Sequence, residues 1–231
     1  FGWSYDRVPG LAQTSEWLYL KVAMNRQFLS RFNRLLFGPY TALPCYNQVS
    51  WLFQRGLGMV YLIAFVSLWT QIIPLSGDNG IAPVQHFMDS IENRAEETGM
   101  GWGKFREFPT LCWFGANDTF LHCLCGSGTL LAVLLMAGLL PGPSLLLLWL
   151  IYLSLCTVCR PWLNFQWDTL LLETGLIAVF LAPWKWRDPI RNSAKPPWVP
   201  ILLIRWLLFR LMFASGAVKL LSNDEAWWNL T

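Results

Sequence analysis

The chain has 231 residues, of which 55% are hydrophobic and 13% charged, with 15 tryptophans and a formal net charge of +3. Soluble domains carry about a quarter charged residues, and indole rings favour the membrane–water interface. The composition therefore excludes an ordinary soluble domain and implies an integral membrane protein, in agreement with a mean hydropathy of +0.39.

The first residue is Phe1 rather than methionine, which suggests that the natural start precedes it. No basic segment, short apolar run and small-residue cleavage site mark a signal peptide at this end. Within residues 1–50, Trp17, Leu20, Met24, Phe28, Phe32 and Leu35 recur at helical spacing, with Lys21, Arg26, Arg31 and Arg34 between them. That is the pattern of an interfacial amphipathic helix lying on an anionic leaflet. A helix packed on the cytosolic ends of the spans fits the same pattern.

A spanning helix needs about 20 mostly apolar residues. Five stretches approach this, at about 51–75, 120–140, 144–159, 165–183 and 199–221. The third follows the Pro141-Gly142-Pro143 turn, the fourth contains Asp168 and Glu173, and the fifth contains Arg205, Arg210 and Lys219. Ionisable residues at helix centres cost a few kcal/mol each, yet both charged stretches remain long and apolar on their other faces. The expected fold class is all-α: a polytopic membrane helix bundle of about five transmembrane helices plus the N-terminal interfacial helix. Residues 51–231 would form the transmembrane domain, with an acidic loop at 76–119.

Basic residues in short flanks set orientation. Lys21, Arg26, Arg31, Arg34 and Arg55 precede or open the first stretch, and Lys185, Arg187, Arg191 and Lys195 lie between the last two. The 76–119 loop instead carries Asp78, Asp89, Glu92, Glu96, Glu97, Glu107 and Asp118 against Arg94, Lys104 and Arg106. Five spans put the basic segments on one side, so the N-terminus is expected in the cytosol, with the acidic loop and Thr231 outside it. The sequons Asn117-Asp118-Thr119 and Asn229-Leu230-Thr231 fall on that outer side.

Charges within spans need partners. Asp168 and Glu173 are five residues apart, as are Arg205 and Arg210, which on a helix means about 140° of rotation. Matching depths in antiparallel spans predicts a buried Glu173–Arg210 pair, with Asp168 loosely near Lys219 and Arg205 snorkelling toward the cytosolic end. Such a charged cluster is either a functional polar site or a structural ion pair that fixes helix register.

Other chemistry is sparse. His122-Cys123-Leu124-Cys125 lacks the paired spacing of a zinc site, and Cys156-Thr157-Val158-Cys159 lacks the histidine of a haem attachment motif. Neither a metal nor a cofactor is expected. Phosphate loops, nucleophile elbows and nucleic-acid motifs are absent from the sequence.

The run from Asn164 through Phe165, Gln166, Trp167, Asp168 and Glu173 to Gly175 resembles a signature of the lipase maturation factor family. The run Ile204 to Leu220, containing Arg205, Arg210, Gly216 and Lys219 and followed by Trp227-Trp228-Asn229, resembles a second. Weaker similarity reaches back through Leu148-Trp149 and Tyr152 to about residue 55. The resemblance implies a multi-span protein that, in animals, sits in the endoplasmic reticulum membrane and helps secreted lipases fold and assemble; a bacterial relative would sit in the inner (plasma) membrane. It further implies that the family's chain continues with more membrane segments and a sizeable non-cytosolic domain. Partners would be the lipid bilayer and other membrane or secreted proteins, either a client lipase or a host complex. A more distant similarity joins Gly216-Ala217-Val218-Lys219 to the vitamin K-dependent carboxylases, whose membrane helices carry a lysine base.

Three functions follow, in order of preference. The first is a non-enzymatic maturation factor acting as a chaperone or assembly scaffold. The second is an accessory structural subunit of a larger membrane complex. The third is an intramembrane carboxylase-like enzyme using Lys219 with Asp168 or Glu173.

Overall fold

The five apolar stretches form five long helices, and local chemistry sets where each one stops. In the computed structural model, which describes residues 46–189 and 195–222, α1 runs from Tyr46 to Ser76, with Pro74 confined to its last turn. It begins earlier than the expected residue 51. The rest of the N-terminal segment, with its predicted amphipathic helix, and the sequon at Asn229 lie outside the described residues.

Two short helices follow in the loop, α2 (Val84–Glu97) and α3 (Gly103–Glu107). Next, α4 (Asp118–Ala137) starts where the Asn117 side chain accepts the Phe120 N–H at 2.9 Å. It ends at Gly138, whose φ of +78° is the left-handed C-cap that glycine adopts without a steric cost. The α5 helix (Pro141–Val158) opens with proline in its first turn, where the missing N–H has no helical partner to lose. The α6 helix (Gln166–Leu181) stops at Ala182, because the following Pro183 disfavours helical backbone before it. Finally, α7 (Trp198–Leu221) begins directly after Pro197.

Four of these helices, α1, α4, α5 and α7, are long and apolar enough to cross a membrane. The fourth expected stretch, 165–183, is helical only over the 16 residues of α6. At 1.5 Å per residue it measures about 24 Å, short of the roughly 30 Å hydrocarbon core.

Helices α1, α4, α5 and α6 pack as a closed group in which each touches the next and α6 returns to α1; among the described residues α7 makes its larger contacts with α6. The core is made of Tyr61, Phe65, Ile72, Leu121, Leu135, Leu145, Leu148 and Leu155, all fully buried. Tyr61 and Phe65 meet Tyr152 edge-on, with ring centroids 5.8 Å and 5.7 Å apart, a geometry aromatic quadrupoles favour. Small residues admit these rings, as expected where lipid removes the hydrophobic drive and close contact must hold helices together. Gly128 of α4 lies so close to the Phe65 ring that a Cβ there would overlap it.

The acidic loop is more ordered than its charge suggests. Val84, Met88, Ile91 and Ala95 form the buried stripe of α2, and Lys104 of α3 pairs with Glu92 at 3.1 Å. A 3-10 turn, Leu111–Trp113, hangs on α5, where Ser154 Oγ accepts the Leu111 N–H at 2.7 Å and bonds the Thr110 hydroxyl at 2.8 Å. Burial in this turn pushes the Cys112 thiol up, although the Thr110 and Ser154 hydroxyls pull the other way.

At the opposite end, the segment after α6 folds back onto the α4–α5 turn. Leu139 and Arg187 form an isolated antiparallel bridge, and the Asp188 N–H donates to the Gly138 carbonyl at 3.0 Å. Arg55 and Trp51 of α1 both donate to the Asp188 carbonyl, at 3.1 Å and 2.9 Å. Arg55, expected only as a flanking orientation charge, is a buried clasp whose guanidinium lies 3.8 Å from the Asp188 carboxylate.

Candidate functional site

The helix carrying most of the predicted site, α6, presents two unlike faces. Asp168 is its third residue, and its Oδ2 reaches back to accept the Phe165 N–H at 3.1 Å. A carboxylate placed there satisfies a backbone donor left open by the helix start and favours the positive end of the helix dipole. Its Oδ1 accepts the Tyr152 hydroxyl at 2.7 Å, and the residue is only 5% exposed. Asp168 thus bonds to α5. With about 140° of rotation between them, only one of Asp168 and Glu173 faces α7 squarely.

Glu173 is the one that does. Arg210 of α7 donates to its carboxylate, so the expected pair forms. It is not buried by the described protein: the side chains are 53% and 36% exposed for Arg210 and Glu173. The pair sits in a cleft of about 670 Å³ between α6 and α7, lined also by Gln166, Thr169, Ser215 and Lys219. Arg205 lies toward the other end of α7, donating to the Tyr46 hydroxyl with its guanidinium carbon 5.4 Å from that ring. The five predicted charges therefore divide into three places: Glu173, Arg210 and Lys219 in one cleft, Asp168 against α5, and Arg205 against α1.

The motif residues divide as well. Gly175 touches the bundle so closely that a Cβ would collide with the Tyr61 hydroxyl, which itself donates to the Leu171 carbonyl at 3.4 Å. A Cβ at Gly216 would meet nothing within 4 Å. Phe165 and Trp167 stack at 4.8 Å on the exposed entrance to α6. His122 accepts the Trp69 indole N–H at 2.8 Å, and Cys159 caps the end of α5. Among the described residues no three His, Cys, Asp or Glu side chains converge as metal ligands.

Sequence reasoning missed Tyr152 and Asp188. A phenol inside the apolar run of α5 was the available signal for Tyr152, since a buried phenol needs a partner. Asp188 lies in a basic connection that masks its role in the sequence.

A bundle of long apolar helices with charges set between the last two defines a polytopic helical membrane protein. Within that class the chain belongs to the lipase maturation factor family, because residues 48–231 match the lipase maturation factor transmembrane domain. It is 44% identical over 190 residues to lipase maturation factor 2 of Xenopus tropicalis, covering 78% of this chain and 26% of that protein. Lipase maturation factor 2 of Homo sapiens is 41% identical over 198 residues, covering 78% of this chain and 27% of the relative. Lipase maturation factor 1 of Bos taurus is 30% identical over 181 residues, covering 77% and 32%. The chain thus spans about a quarter of the length of the first of these relatives. No solved structure matches it significantly.

Proposed function

We propose that this chain is the membrane core of a non-enzymatic maturation factor, a chaperone or assembly scaffold whose client class includes lipases. Membership of a family whose relatives are named maturation factors carries this reading. The basic flanks of the first and last helices support a cytosolic N-terminus, with the acidic loop on the non-cytosolic side where secreted clients fold. In a eukaryote the membrane would be that of the endoplasmic reticulum, and in a bacterium the inner (plasma) membrane. On this reading the Glu173–Arg210 pair fixes the register of α7 on α6.

A second reading is favoured by α7, where only Pro200 and Leu207 are buried and Trp206, Phe209 and Phe213 are exposed. Such a face suits a helix that lies against other membrane segments, as in an accessory subunit of a larger complex.

Gentle detergent extraction followed by mass spectrometry of the co-purifying proteins separates the two. Substoichiometric secreted lipases are the expected result, whereas a constant stoichiometric membrane partner would establish the subunit. Exchanging the charges, Glu173→Arg with Arg210→Glu, is expected to preserve client maturation if the pair only sets register. Normal assembly with lost maturation in the exchange variant would instead make the pair part of the client site.

A further inference from the structure

The loop between α1 and α4 carries two unlike surfaces. Its acids lie mainly on α2, as Asp89, Glu92, Glu96 and Glu97. The stretch 98–116 that follows holds Lys104 and Arg106 against Glu107 alone. It also holds the most exposed aromatic side chains of the loop, Trp102 at 87% and Phe114 at 85%. The rings are gathered rather than scattered. Phe105, itself exposed, lies 5.7 Å from Trp102 and 5.3 Å from Trp113 between ring centroids, and Lys104 Nζ lies 4.9 Å from the Trp113 ring. Arg160, just beyond α5, lies 5.8 Å from the Phe108 ring.

The depth of this patch is set by α5. The Thr157 hydroxyl of that helix reaches the Pro109 carbonyl at 3.4 Å, and Ser154 bonds Thr110 and Leu111. The 18 residues of α5 span about 27 Å, close to the roughly 30 Å hydrocarbon core. Ser154 lies four residues before its last residue, Val158, so the 3-10 turn docks about 6 Å inside the helix end. Residues 109–113 therefore sit at the edge of the hydrocarbon rather than in the water above it. Phe114 follows at once, and the contact between Phe105 and Trp113 holds α3 near the same level. A group of exposed rings is a liability in water. At the head-group layer it is stabilised, because aromatic rings favour that layer and basic side chains favour the lipid phosphates.

We propose that residues 102–114 form an interfacial anchor, which seats Trp102, Phe105 and Phe114 in the phospholipid head-group layer at this end of the bundle. Arg106 and Arg160 lie beside the lipid phosphates, and the acidic face of α2 is left turned to water. The anchor is distinct from the Glu173–Arg210 cleft and does not depend on the maturation role.

The test uses the full chain in nanodiscs of phosphatidylcholine and phosphatidylglycerol. A dansyl-bearing amino acid replaces Trp102, Phe114 or, as the control on α2, Glu96; all three are exposed, so the probe does not enter the core. Protein that elutes as a folded species is then quenched by phosphatidylcholine with a nitroxide near the glycerol, by the same lipid with the nitroxide at the chain end, or by aqueous iodide. At positions 102 and 114 the shallow nitroxide is expected to quench most, with iodide reaching them far less than position 96. Arg106→Glu sets a like charge against the phosphates and is expected to lower the shallow quenching at position 102 about twofold. Iodide reaching positions 102 and 114 as freely as position 96 would mark a water-facing surface, the arrangement suited to a client protein, and would overturn the proposal. Quenching by none of the three reagents, or shallow quenching unchanged by Arg106→Glu, would overturn it as well.

Discussion

The two faces of α6 carry an acid each, five residues apart, and the bundle treats them in opposite ways. Asp168 is enclosed, with one hydrogen bond on each oxygen from two different parts of the chain. Glu173 meets, among the described residues, the Arg210 guanidinium on a flank that the described protein leaves half open. The difference shows that a charge inside a membrane protein has two structural solutions. One side is satisfied by local backbone and a neighbouring phenol, which locks the helix start. The other holds two helices together through a contact that lipid or another protein can still reach.

Removing the enclosed acid is the strongest way to break this comparison. Asp168→Ala strands the Tyr152 hydroxyl and the Phe165 N–H and is expected to destabilise the protein by about 3 kcal/mol. Thermal unfolding in detergent, followed by tryptophan fluorescence, measures it, and a cost below about 1 kcal/mol would show that the two faces are energetically alike.

The two motif glycines give the next largest effect, with opposite signs. Gly175→Ala pushes a methyl group into the Tyr61 hydroxyl, an overpacking that costs about 1–3 kcal/mol. Gly216→Ala enters open space and is expected to stabilise α7 by up to about 1 kcal/mol through helix propensity alone. Melting midpoints moving the same way for both would contradict the packing described for α6 and α7.

Tyr152→Phe removes only the donor on the enclosed side and is expected to cost about 1–2 kcal/mol, with a smaller additional effect in the Asp168→Ala background. A double-mutant cycle reads that coupling directly. Smallest of all is Glu173→Gln. In detergent, where both partners are partly hydrated, the change is expected to stay within about 1 kcal/mol, and the charge exchange with Arg210 to recover it. A larger loss would mean that the outer flank is as enclosed as the inner one.

Much of this architecture was legible in the residues themselves. Helix positions follow from apolar length and from stop signals that act locally, such as Gly138 and Pro183, so the five stretches and the five helices nearly coincide. The Glu173–Arg210 pairing also followed, because antiparallel helices of known length match depths without further information. The family resemblance rested on contiguous strings and was confirmed over residues 48–231.

Only the tertiary structure decided which neighbour each face of α6 meets. Asp168 could be placed at a depth from its sequence position, but its direction depends on how α6 is rotated against α5. That rotation is set by contacts distant in sequence, chiefly the close approach of Gly175 to Tyr61 and the bond from Trp149 to the Leu172 carbonyl at 3.0 Å. The Arg55–Asp188 clasp, joining residues 133 positions apart, was hidden for the same reason. Hydropathy and the rise per residue report how far along the membrane normal a residue lies. The angle around that axis is fixed by packing between segments, and it determined that one acid of α6 is locked into the bundle while the other stays on an open flank.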